Sequence, residues 1–141
     1  MRRPSGDRGS VGLELALIAP VLFVLVAFIV GIGRIAEADG RVEAAARDAA
    51  RGASLASGAG GAQQAAAVAG QATLLVDGLT CAESAVAVTA YADDGPGGGA
   101  DRVAVQVECT ASLGDIAVPG LPGDLRLEAT SVAPLDPYRS R

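Results

Sequence analysis

The chain has no histidine and no tryptophan, and every one of its 11 Lys/Arg positions is arginine. Without His or Lys, a Ser–His, Cys–His or Ser–Lys nucleophile pair is excluded within the chain. Aromatic residues are 3% of the 141 positions, so there is no stacking platform for nucleic-acid bases, and any core must be built from Ala, Val and Leu. Cysteine is scarce too. Cys81 and Cys109 lie too far apart for a CxxC motif, and no ligand cluster accompanies them, so neither a redox nor a zinc site is expected. The net charge of −5, with no basic cluster after Arg34, argues against a nucleic-acid partner. Asp93, Asp94, Asp101 and Asp115 match no calcium-loop spacing, and Asp93-Asp94 reads as a turn. The glycines between positions 95 and 99 open no helix, which removes a phosphate-binding loop. No catalytic residue, cofactor, metal or small-molecule substrate is expected.

What the chain does have is one long apolar run. From Leu15 to Gly33 no side chain is charged, with Glu14 just before the run and Arg34 just after it. A helix over that run is about 28 Å long, close to the hydrocarbon thickness of a bilayer. The short N-terminal arm carries Arg2, Arg3 and Arg8 against Asp7, whereas acids outnumber arginines after the run. Positive charge stays cytoplasmic, which predicts a single-pass protein with the N-terminus inside and the C-terminal domain outside. On that reading 1–9 is a disordered cytoplasmic leader and 10–34 is a transmembrane helix kinked at Pro20. A rival reading is a secreted protein cut after the A-x-A sequence Ala36-Glu37-Ala38, for which the apolar run is too long.

Beyond the span, Ile35, Ala38, Val42, Ala45, Ala49, Ala53 and Ala56 recur at helical spacing, so 35–57 continues the same helix outside the membrane. Glu37, Asp39, Glu43, Arg47, Asp48 and Arg51 form its solvated face, with Glu43 and Arg47 as an i,i+4 pair. Residues 58–62, GAGGA, punctuate the chain. A second helix is expected over 63–76, with Val68, Ala72, Leu75 and Val76 along its apolar side and Gly70 as a weak point. A small β domain follows over 84–133. Its strands are 84–92, the cleanly alternating 102–110 (Val103, Val105, Val107 and Cys109 on one face) and 124–133 (Leu125, Leu127 and Ala129 inward). Residues 134–141 are a tail. The fold class is α+β: a long N-terminal transmembrane helix continuing outside, a second short helix and a small antiparallel sheet.

Both cysteines fall on the outer side, where an oxidising compartment favours a Cys81–Cys109 disulfide. If the two residues were cross-strand partners, their hairpin would centre on Gly95, inside the glycine-rich loop.

The membrane-edge stretch RGSVGLELALIAP adds a motif. Counting Gly9 as the residue before a cut, Ser10 becomes position one and Glu14 position five of a long apolar helix. A carboxylate there is costly in lipid, and a neighbouring subunit's new N-terminal amine would neutralise it. This stretch and the following GRIAEADGRVEAAARDAARGAS resemble the TadE-like family of the tight-adherence pilus system. The resemblance covers about the first 55 residues. Many pilin-like members carry Phe or Tyr after the acid, where this chain has Leu15. The resemblance implies a pilin-like fold, no enzymatic activity, and a minor structural or assembly role in a Tad/Flp-type pilus. The implied partners are the membrane, other pilin-like subunits and a prepilin peptidase cutting between Gly9 and Ser10, with Glu14 as the helix-packing acid. The alternative is an extracytoplasmic binding domain, secreted or anchored, with no pilus role.

Overall fold

The computed structural model describes residues 8–92, 101–116 and 122–135. A single helix, α1 (Arg8–Leu55), runs for 48 residues without a break, through Pro20. The proline is tolerated because the carbonyl it leaves without a donor is one loss in a long ladder. The leader expectation is corrected at its end, since Arg8 and Gly9 are the first residues of α1; residues 1–7 lie outside the described residues.

The punctuation is also corrected. GAGGA does not separate two helices: α2 (Gly58–Val76) begins on its first residue, and only Ala56 and Ser57 intervene. Gly58 takes φ 70°, a left-handed conformation that costs glycine little, so the reversal needs no longer loop.

α2 then returns along the C-terminal half of α1, the outer half in the expected topology. The buried side of α1 is the expected small-residue stripe, with Ala38, Val42, Ala45, Ala49 and Ala53 at 3% exposure or less. Its six named charged residues are all exposed, and Glu43–Arg47 and Glu37–Arg41 form i,i+4 ion pairs at 3.4 and 2.8 Å. The expected apolar side of α2 is wrong. Val68, Ala72, Leu75 and Val76 face outward, and Ala62, Ala66, Gly70 and Leu74 are buried instead. Close approach decides this. A Cβ on Gly70 would lie 3.1 Å from Val86 Cγ2 and 3.3 Å from the Ala49 methyl, and one on Gly52 would lie 3.1 Å from the Ala69 methyl. The face that presents Ala62, Ala66 and Gly70 lets α2 sit close against both α1 and the sheet, and Leu74 is buried at its far end. Thr73 adds a hydroxyl donation to Asp48 at 2.9 Å across the helix pair.

Three strands, β1 (Glu83–Ala92), β2 (Arg102–Ser112) and β3 (Asp124–Pro134), form an antiparallel meander in the order β1-β2-β3. β2 is central, and its Val103, Val105, Val107, Cys109 and Ala111 are fully buried beneath the helices. The opposite face carries a polar network. Glu108 and Glu128 stand opposite each other in register, and their like charges are offset by neighbours. Arg126 binds Glu108, and the Gln106 amide donates to Glu128 at 2.7 Å and to Glu108 at 3.1 Å.

Two smaller expectations change. The tail does not start at 134, since β3 ends on Pro134, and Leu135 is buried and donates its N–H to the Asp101 carbonyl at 2.9 Å. The connection after β2 opens with a short helical turn, α3 (Leu113–Ile116). Residues 93–100, where the hairpin loop and Asp93-Asp94 were placed, lie outside the described residues.

Candidate membrane anchor and interaction surfaces

α1 faces two environments. From Leu13 to Ile32 its large apolar side chains are exposed, among them Leu17 at 68%, Phe23 at 76% and Phe28 at 65%. This part of the helix is long and apolar enough to cross a membrane and lies near the N-terminus. It is compatible with a single-pass anchor. From Ala38 onward the same helix is a core element. Because α1 is continuous, the orientation of its apolar N-terminal part and that of the packed C-terminal domain are mechanically coupled.

Glu14 is exposed, one residue inside the start of this apolar surface. About 20 residues of helix, or roughly 30 Å, separate it from Arg34, so the two charges bracket the span at bilayer spacing. The Gly9–Ser10 bond lies within the first turn of α1. A peptidase acting there would first have to unwind that turn.

Cys81 and Cys109 form a disulfide with a Cα–Cα distance of 5.4 Å. They are not cross-strand partners, however. Cys109 stands opposite Ser84, and Cys81 precedes the first residue of β1. The register is shifted by three residues from the one that centres on Gly95. The bridge ties the segment entering the sheet to the central strand, just after the buried Leu79, instead of stapling a ladder position.

The two sheet edges are treated differently. On β1, the Gln63 side chain donates to the Val86 carbonyl and accepts from the Val88 N–H, both at 2.8 Å, as a neighbouring strand would. A register shift between Val88 and Ala90 further interrupts that edge. Sequence reading missed Gln63. Nothing local sets it apart from Gln64 and Gln71 of the same helix, because its partners lie 23 and 25 residues away. On β3, the bonds Leu113 N–H to Gly123 C=O and Leu135 N–H to Asp101 C=O, both 2.9 Å, fix the ladder phase. Odd-numbered β3 residues bond to β2. Arg126, Glu128, Thr130 and Val132 therefore turn their N–H and C=O groups to the free edge.

Beside that edge, a cleft of about 480 Å³ is lined by Asp39, Glu43 and Arg47 of α1 and by residues 128–131 of β3. A second cleft of about 240 Å³ near the span carries Arg34, Glu37, Arg41 and Asp115. Asp115 is thus part of a mixed-charge surface and not of an acid pair, and Asp101 lies at the opposite end of β2. Among the described residues no group of three or more His, Cys, Asp or Glu side chains is arranged to hold a metal.

Comparison with known proteins gives one finding. Residues 9–51 match the family model of the TadE-like proteins, the family that the membrane-edge motif resembles. The match begins at Gly9 and ends inside the buried outer half of α1, so it covers span and shoulder together. The TadE-like family is a pilus-associated structural family. No curated protein and no solved structure matches the chain.

Proposed function

We propose that this chain, with its TadE-like span and shoulder, is a minor pilin-like structural or assembly component of a tight-adherence (Tad/Flp-type) pilus. One observation carries the reading: a 48-residue helix whose apolar half is left uncovered by the other described residues, with Glu14 exposed near its start. Helix packing in a membrane needs such a surface, and an exposed carboxylate near its end calls for a partner charge. The N-terminal amine of a neighbouring pilin-like subunit supplies that charge once a prepilin peptidase has cut between Gly9 and Ser10. The N-terminus lies inside, and the disulfide-bonded domain lies outside and possesses no enzymatic activity.

The first test is the mature N-terminus, read by mass spectrometry on protein from its native cell. A start at Ser10 is expected. A start at Asp39 would make the chain a secreted domain and end the pilin reading. An uncut chain would leave an anchored binding domain without a pilus role. The second test is Glu14→Ala, which should leave membrane insertion intact and reduce pili counted by electron microscopy; normal pili in that mutant would overturn the role given to Glu14.

A further inference from the structure

We propose that the free edge of β3, with the cleft between it and α1, is the docking site for an extended basic segment of a different polypeptide on the outer side of the membrane. The inference rests on the outward orientation proposed above for this domain. Four residues, Arg126, Glu128, Thr130 and Val132, direct backbone donors and acceptors away from the sheet, and among the described residues none of these groups is taken up. An edge of this kind pairs readily with an added strand. The opposite edge is closed by the Gln63 amide, so among the described residues one edge is open and not two.

Charge selects the occupant. On the α1 side the cleft carries the carboxylates of Asp39 and Glu43 against the single cation Arg47, which already pairs with Glu43 at 3.4 Å. Successive side chains of an added strand point to opposite faces. Those directed toward α1 meet Asp39 and Glu43, so Lys or Arg at alternate positions is favoured there. Those on the other face lie beside Arg126, Glu128 and Thr130, where small or polar side chains fit.

A second copy of this chain fits less well. Antiparallel pairing of β3 with β3 would set one acidic cleft against the other and point the two spans in opposite directions, which one membrane does not allow. Side-by-side pairing of β3 with the β1 edge of a second copy is blocked by Gln63.

The test uses the full chain in detergent micelles, with a short capped peptide alternating Lys with Val as the probe. Amide hydrogen exchange and binding affinity are measured. Protection should appear at Arg126, Glu128, Thr130 and Val132 and not along β1. Thr130→Pro removes one outward N–H and no bond to β2, so affinity should fall about three- to tenfold. A peptide N-methylated at alternate residues should lose the protection without any change to the protein. Asp39→Asn with Glu43→Gln should weaken binding and flatten its salt dependence. The proposal fails if the four amides stay unprotected at millimolar peptide, or if the N-methylated peptide binds equally well. It also fails if the chain alone self-associates through an edge that Thr130→Pro disrupts, which would assign the edge to a second copy. None of these readouts depends on N-terminal processing, so their failure would leave the pilin reading standing.

Discussion

The two halves of α1 invert the usual relation between side-chain size and burial. The span half leaves Leu22, Phe23 and Phe28 more than half exposed, whereas the outer half buries little more than methyl groups, with Ala45, Ala49 and Ala53 at 0%. The difference lies in what each half is built to meet. The outer half is covered by its own chain, and alanine lets α2 and the sheet approach closely. Among the described residues nothing covers the span half, and its bulky groups suit lipid or another apolar helix. The bulk of an apolar residue therefore does not say whether its own fold will bury it.

Substitutions in each half should separate these roles. The largest expected loss comes from the outer domain's staple. Cys81→Ser opens a bridge of sequence separation 28 and should destabilise the outer domain by about 3–4 kcal/mol, the upper end of the chain-entropy expectation. Thermal melting in micelles checks this, and an unchanged melting temperature would mean the bridge constrains nothing that folding has not already ordered. Next is Gly70→Val, which drives a branched side chain into Val86 and Ala49 and should cost about 1–3 kcal/mol in the same measurement. Tolerance of valine there would show that α2 has slack against α1. Gln63→Ala removes two bonds to the β1 edge and should cost about 1–2 kcal/mol. Its sharper signature is faster exchange at the Val88 amide, which its side chain holds. Smallest is Leu22→Ala in the span, which should shift the outer domain's melting by less than about 0.5 kcal/mol. A larger shift would mean that the span and the domain are energetically one unit.

Much of the architecture was legible because hydrophobic period reports local geometry directly. Val103, Val105, Val107 and Cys109 alternate and are buried as their period requires, and the alanine stripe of α1 lies where a 3.6-residue repeat places it. α2 misled for a physical reason. Its larger apolar residues mark one side, but the interface selects for closeness, so Gly70 and its alanine neighbours go inside. The cysteines misled differently. Their separation was compatible with a cross-strand pair, yet the ladder sets Val86 opposite Val107 and Val88 opposite Val105, and Cys81 reaches its partner from outside the ladder. The candidate membrane-edge residues Gly9, Ser10 and Glu14 were read from local spacing alone. The edge residues Gln63, Arg126, Glu128 and Thr130 had no such signal, because their roles depend on strands distant in sequence.

The sequence by itself determined the apolar span, the single continuous helix beyond it, the strand segments and the absence of the usual nucleophile pairs. These follow from composition and short-range period, which act within a few residues. The tertiary structure decided which face of α2 is buried, which residue stands opposite Cys109, and that one sheet edge is closed while the other is open. Those outcomes depend on how closely elements far apart in the chain can approach, and on which backbone groups remain unpaired once they have.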